Sequence, residues 1–227
     1  MGLKEKEFYD FAKARTFGRL KGRRLTKNQE FGLKQLLSNM SFDTVKGADF
    51  IKKKCWVEIG FGNGEHLIHQ ANERREINFV GCEVFLNGVA STCFNAYKSK
   101  LKNIKIFNGD TRILFKFLPK ESIERYYILF PDPWPKKRHR RRRLVNWENI
   151  ESICFSLKKG GKICIATDVL DYKDQIIELF KQMKIFRRIK FNPFEKNHRW
   201  FANRNTKYEE KAIKEGRKPF YLVYSKI

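Results

Sequence analysis

Apolar and polar positions alternate in blocks along this chain, and the period changes from block to block. Near the N-terminus Phe31, Leu33, Leu36, Leu37 and Met40 recur at helical spacing, which predicts a short amphipathic helix over 28–40. Beyond it, brief apolar runs rich in β-branched and aromatic residues trade places with longer amphipathic ones. "CWVEIG" (55–60), "NFVGCEV" (78–84), "NIKIF" (103–107), "RYYILF" (125–130) and "GKICIATD" (161–168) read as strands. Helical patterns follow them at 64–75, 86–101, 111–118, about 147–158 and 170–184. The tail adds "IFRRIKF" (185–191), a polar helical stretch near 206–215, and "PFYLVYS" (219–225).

Strands each followed by a helix predict the α/β class, with a doubly wound, mostly parallel, Rossmann-like sheet. The last two strands are joined by an insertion and not by a plain crossover helix. About seven strands are therefore expected, with an antiparallel edge strand. No internal repeat or Ser/Gly-rich linker interrupts the pattern, so residues 41–227 read as one domain, preceded by an arm and short helix over 1–40.

Ligands of such sheets bind beyond the carboxyl ends of the strands, so the residues there matter most. The first strand runs into "VEIGFGNGE", where Gly60, Gly62 and Gly64 permit a tight turn and close backbone approach. Dinucleotide sites want G-x-G-x-x-G; here the third glycine comes one residue early and Glu65 fills the slot. Glu58 lies inside the strand, where an acid opposes a pyrophosphate and suits a cation. Glu83 ends the second strand, 19 residues after Gly64, at the place where an acid takes ribose hydroxyls. Asp110 and Asp132 tip the third and fourth strands. Taken singly, each is an ordinary capping or surface acid, and Asp110 before Thr111 suits a helix cap. Jointly they describe a pocket for a ligand with a ribose, an amine and positive charge. S-adenosylmethionine fits that description, and NAD fits it worse.

Charge changes the picture again. The 227 residues hold 49 Lys and Arg against 25 Asp and Glu, a net charge of +24. A surface this basic points to a polyanion. No apolar run approaches the roughly 20 residues that span a bilayer, and "MGLKEKEFYD" has neither a signal h-region nor a myristoylation pattern. No membrane association is expected, which leaves nucleic acid. Seven cations without an acid occupy residues 11–29, an arm expected to be poorly ordered without its partner. A second block, "KKRHRRRR" (136–143), follows Asp132 directly. A run of cations is usually a solvated face; this one sits mid-chain at the rim of the predicted pocket. Five scattered cysteines without CxxC spacing read as buried, reduced thiols, and no histidine pair has metal-ligand spacing, so no metal is expected.

"VEIGFGNGE", "GCEV", "NGD", "ILFPDPWPKKRHRRRR", "GGKICIATD" and "TKYEE" occur in that order, and "GRRLTKNQ" precedes them. Together they resemble the bacterial tRNA (guanine-N7-)-methyltransferase family, a Rossmann-like, adenosylmethionine-dependent class. Pro135, Lys137 and Ala212 depart from the family's usual residues. The resemblance implies that Glu58, Glu83, Asp110 and Asp132 line the cofactor site and that Asp132 is catalytic. It implies substrate contacts at Lys136, Asp168, Thr206, Lys207, Tyr208 and Glu209. It implies RNA contacts at Arg138, His139, Arg140, Arg141, Arg142 and Arg143. The implied target is the variable-loop guanine at tRNA position 46. Apart from the resemblance, the reduced thiols suit the cytoplasm, and a monomer or homodimer is expected.

Guanine N7 already carries a lone pair, so the chemistry requires alignment more than a strong base. A carboxylate fixed between Pro131 and Pro133 supplies positioning and opposes the growing positive charge of the purine. A carboxylate is also expected to read the N1–H and N2–H₂ donors that distinguish guanine from adenine; Asp132, Asp168 and Glu209 all qualify. Trp134 and Trp200 are candidates to stack on an extruded base. A non-catalytic RNA-binding factor with a Rossmann shell is the competing reading. It leaves the four strand-tip acids without a purpose. An NAD-linked oxidoreductase is disfavoured by Glu65 and by the lack of length for a substrate domain.

Overall fold

The computed structural model describes residues 18–44, 47–190 and 207–227, with the backbone alone for 207–209. The arm before Gly18, Trp200 and Thr206 lie outside the described residues. The chain divides into two compact units, one ending at Pro119 and one beginning at Lys120.

In the first unit a capping box opens α1 (Lys27–Phe31). Gln29 N donates to Thr26 Oγ1 at 3.3 Å, and Thr26 N donates to Gln29 Oε1 at 2.9 Å. The helix continues through a π turn, Gly32–Leu36, into α2 (Leu37–Met40), so the expected 28–40 helix forms in three pieces. A short α3 (Gly47–Lys52), too brief for a periodic signal, precedes β1 (Cys55–Ile59). Then follow α4 (Glu65–Glu73), β2 (Asn78–Glu83), α5 (Leu86–Lys98), β3 (Ile104–Asn108) and α6 (Thr111–Leu114). β1, β2 and β3 pair in parallel, with Glu58 opposite Gly81 and Glu83 opposite Asn108. Val57, Val80, Leu67, Val89 and Leu114 are sealed in the core. The "GRRLTKNQ" segment is tied to the start of α5. Gly22 N donates to Asn87 Oδ1 at 2.7 Å, Asn87 Nδ2 to the Arg23 carbonyl at 2.8 Å, and Gln29 Nε2 to Ser91 Oγ at 2.9 Å.

The second unit contains β4 (Ile123–Leu129), a 3₁₀ turn over Lys137–Arg142, α7 (Trp147–Ser156) and β5 (Leu157–Thr167). It continues with α8 (Leu170–Gln182), β6 (Phe186–Ile189), α9 (Lys207–Lys214) and β7 (Phe220–Lys226). β4 and β5 are parallel, whereas β7 is antiparallel to both β5 and β6. The strand order is β3-β2-β1-β4-β5-β7-β6, a seven-stranded mixed sheet. Its antiparallel member, β7, enters beside β6 at the end of the sheet, as the non-crossover connection of the last two strands requires. The Phe180 and Tyr224 rings stack at 3.8 Å and pin α8 to β7. None of the five cysteines is in a disulfide; Cys55, Cys82, Cys93 and Cys164 are buried, and burial pushes the Cys93 and Cys164 thiols up to about 12. Among the described residues no helix is long and apolar enough to cross a membrane.

Candidate active site

The carboxyl ends of β1, β2 and β3 gather the first constellation. All three glycines of the turn after β1 are left-handed, with φ of 71° at Gly60, 56° at Gly62 and 77° at Gly64. At Gly64 a Cβ would approach Thr92 Oγ1 to 2.2 Å, so both backbone and space demand glycine there. At Gly60 a Cβ would meet nothing within 4 Å; open space adjoins the turn. Glu83 is buried at the tip of β2 and ties this turn to the next. Its Oε2 accepts from Gly62 N at 2.7 Å, and its Oε1 accepts from Val84 N at 2.7 Å and Phe85 N at 2.9 Å. Three charge-assisted bonds leave the carboxylate little rotational freedom.

Glu58 is buried within β1, and its Oε2 lies 2.7 Å from Nδ1 of His66 in the first turn of α4. Asp110 caps α6. Its Oδ1 accepts from Arg112 N at 2.9 Å and Arg112 Nε at 2.8 Å, while Oδ2 pairs with Arg112 Nη2 at 2.5 Å. The β2 and β3 tips are joined because Asn108 Nδ2 donates to the Glu83 carbonyl at 2.9 Å. Glu58, Glu83, Asp110 and the three glycines thus come from neighbouring strand ends of one unit.

The second constellation belongs to the other unit. β4 ends at Leu129, and the next residues take an unusual path: Phe130 has φ of 50° and Trp134 has φ of 43°. Bulky residues seldom adopt left-handed backbone, at a cost of about 1–3 kcal/mol each, and they persist only where the surroundings hold them. Both ends of the loop are held. Phe130 N donates to the Ala166 carbonyl at 2.8 Å, and Arg143 Nε donates to the Pro133 carbonyl at 2.7 Å. Between these braces Asp132 stands exposed.

The basic block that sequence patterning treats as loop forms the 3₁₀ turn. Lys136, Lys137, Arg138 and Arg141 are exposed. The Trp134 ring meets His139 edge-on at 5.8 Å, and the Arg142 guanidinium lies 5.0 Å over it. Desolvation, reinforced by the charges of Arg142, Arg138, Lys136 and Arg141, holds the His139 imidazole below its ordinary value. Arg140 Nη2 reaches Asp171 Oδ1 at 2.8 Å. Arg143 is fully buried, with Nη1 donating to Gln175 Oε1 and Nη2 to Asp171 Oδ2, each at 2.5 Å. The Arg143 hydrogen bond holds the Asp171 carboxyl below its ordinary value. Beyond β5, Asp168 Oδ2 accepts from Arg217 Nε at 2.6 Å, and Arg217 also pairs with Glu215. Lys207, Tyr208 and Glu209 open α9.

The sequence patterns do not reveal His66, Arg112 or Arg217 as partners of Glu58, Asp110 and Asp168. They also miss Asp171 and Gln175, whose spacing of four puts both on one helix face without naming what they hold. Among the described residues no group of three His, Cys, Asp or Glu side chains is placed to bind a metal. The first constellation suits S-adenosylmethionine. Its acceptors match the hydroxyl, amine and ammonium donors of that molecule, and the side of Gly60 is open.

Residues 52–222 match a family model described as "Putative methyltransferase". Two proteins named tRNA (guanine-N(7)-)-methyltransferase are similar over most of both chains. The one from Ruegeria pomeroyi is 37% identical, covering 93% of this chain and 94% of its own. The one from Ruegeria sp. strain TM1040 is 36% identical, covering 92% and 87%. The fold is shared with a 16S rRNA (adenine(1408)-N(1))-methyltransferase from Catenulisporales acidiphilia, solved with cosubstrate SAM. That likeness has a TM-score of 0.54 at 12% identity, over 82% of this chain and 92% of that one. The left-handed glycine turn, the carboxylates beside it and the braced Pro-Asp-Pro loop therefore sit in a Rossmann-like, S-adenosylmethionine-dependent methyltransferase, and this chain belongs to the tRNA (guanine-N(7)-)-methyltransferase family.

Proposed function

We propose that this chain transfers the methyl group of S-adenosylmethionine to N7 of a guanine in tRNA, the variable-loop guanine at position 46. The observation that carries the reading is the exposed Asp132 in a loop braced at both ends, beside an exposed basic turn. Relatives named for this activity at 36–37% identity support it.

Glu83 and Asp110 accept from the donor's ribose and amine groups, Glu58 adds negative charge beneath the turn, and Gly60, Gly62 and Gly64 give backbone access. When bound, S-adenosylmethionine supplies an electrophilic methyl whose leaving group is a neutral thioether. The protein needs no strong base, because guanine N7 is already a lone-pair donor to carbon. Asp132 orients the purine and opposes the positive charge that grows on it as the N7–methyl bond forms. A mobile carboxylate would have to reorganise as that charge grows and would lose part of the stabilisation; the braces at Phe130 and Pro133 hold its loop in place. Asp132, Asp168 or Glu209 accepts from guanine N1–H and N2–H₂, a pairing worth about 1–3 kcal/mol against adenine. Lys136, Thr206, Lys207 and Tyr208 complete the substrate contacts.

Arg138, His139, Arg140, Arg141 and Arg142 contact the RNA, and neutralised phosphates make binding steeply salt-dependent. Trp134 stacks on the extruded base. Residues 1–40 serve as an RNA-binding arm and helix for the catalytic domain of 41–227. We take the protein to act in the cytoplasm as a monomer or homodimer, which light scattering with and without tRNA distinguishes.

Incubation with bulk tRNA and methyl-labelled cofactor, followed by digestion, tests the function. Labelled 7-methylguanosine from position 46 is expected. Label in another nucleoside, or none, overturns it.

A further inference from the structure

We infer that Arg143 is a positioning residue that fixes the Pro131–Asp132–Pro133 loop, and that it binds no phosphate of the RNA. The inference rests on the reading of Asp132 as the catalytic group. By sequence Arg143 is the last of six consecutive residues assigned to RNA. Its side chain is 0% exposed, whereas Arg140 in the same block is 41% exposed. Nε, Nη1 and Nη2 each donate within the protein, to Pro133 O, Gln175 Oε1 and Asp171 Oδ2. One face of the guanidinium lies 4.6 Å over the Tyr172 ring. A phosphate contact would require withdrawal of this fork from all four partners.

The local geometry explains why this arginine differs from its neighbours. In a 3₁₀ turn, residues three apart eclipse one another. Arg140 and Arg143 are three apart, and both reach Asp171, on Oδ1 and Oδ2. Arg138 and Arg141 point elsewhere and are exposed. The helix face that receives Arg143 also holds the next residues: Val145 N donates to Tyr172 Oη at 2.9 Å, and Gln175 Nε2 to the Val145 carbonyl at 3.4 Å. Asp171, Tyr172 and Gln175 therefore template the strap that runs from Pro133 to Val145. The Nε bond acts on the Pro133 carbonyl, one peptide beyond Asp132 and adjoining the left-handed Trp134, so it fixes the C-terminal end of the loop that carries the catalytic carboxylate.

The test combines steady-state kinetics with tRNA affinity measured across salt concentrations. Arg143→Gln removes the charge and the fork. The expected result is a fall in kcat at saturating tRNA of about 10–100-fold, as for a group misplaced near reacting atoms. The KM for tRNA should stay within about twofold, and the slope of log Kd against log salt should not change. Arg141→Gln, as the reference, should lower that slope by roughly one contact's worth. A lowered slope in Arg143→Gln, a raised KM with kcat intact, or no change in any parameter would each overturn the inference. If Arg143→Gln does not fold, Gln175→Leu decides, since it keeps every cation while removing the Nη1 acceptor and the long bond to the Val145 carbonyl; it should lower kcat at constant salt slope, and unchanged kcat would overturn the inference. Asp132→Asn in the same assays separates the two claims: full kcat there removes the catalytic reading of Asp132, whereas a changed slope in Arg143→Gln removes only the tether.

Discussion

Glu58 and His66 are linked by a 2.7 Å contact between Oε2 and Nδ1, with side chains only 4% and 2% exposed. The pair spans the glycine turn, so it fastens the end of β1 to the start of α4 on either side of the proposed cofactor turn. His66→Leu would leave a buried carboxylate short of a partner, at a cost of about 1–3 kcal/mol. Urea unfolding should show a lower midpoint, and calorimetry should show weaker S-adenosylmethionine binding. An unchanged midpoint would mean that Glu58 finds another donor.

Glu83→Gln tests the acid at the β2 tip. A carboxylate accepts at both oxygens, but an amide offers one acceptor and one donor. The variant must set its NH₂ against either Gly62 N–H or the Val84 and Phe85 N–H groups. Loss of one such buried bond is worth about 1–3 kcal/mol, or roughly 10–100-fold in cofactor affinity if the turn opens. Calorimetry against S-adenosylmethionine measures it, and full affinity would exclude Glu83 from the site.

Acid should loosen the strap between Pro133 and Val145. The Arg143 hydrogen bond lowers the Asp171 carboxyl below its ordinary value of 3.8, with further lowering from the charges of Arg143 and Arg140. A depressed folded value means that the contribution is complete above 3.8 and is lost as pH falls through the folded value. The Asp171 side chain is 45% exposed, so the effect is small and weakened by salt. Melting temperatures measured from pH 5 downward should fall less steeply in Asp171→Asn than in the parent. Parallel curves would show that the fork does not depend on this charge.

The thiols offer a probe of fold integrity. Burial pushes Cys93 and Cys164 up to about 12 and raises Cys154 more modestly, so little thiolate forms near pH 8. A chromogenic disulfide reagent should leave Cys93 and Cys164 unlabelled in the native protein and label all five cysteines in denaturant. Fast native labelling at Cys164 would mean that β5 opens locally.

Much of the fold is legible in the sequence because alternation of short apolar runs with amphipathic ones is a local property. The strands at 55–60, 78–84 and 103–107 lie within a residue of their observed bounds, as do the glycine turn and the acids at three strand tips. α3 gives no period because it has six residues, and the break of the first helix at Gly32–Leu36 falls where Gly32 packs against α5 so closely that a Cβ would lie 2.3 Å from the Ala90 carbonyl oxygen. The 3₁₀ turn of the basic block carries no apolar pattern at all. Charge alone made its six members look alike.

What the sequence determined by itself was the α/β class, the carboxylates at the strand ends, the Pro-Asp-Pro constraint and a strongly basic charge balance. These follow from residue type and near-neighbour order. Only the tertiary structure decided which charges are spent internally: Arg143 on Asp171 and Gln175, Arg112 on Asp110, Arg217 on Asp168, His66 on Glu58. A charged side chain declares its sign in the sequence, but whether it faces water or a partner depends on residues distant along the chain. Removal of a charge from water is tolerated only where such a partner waits.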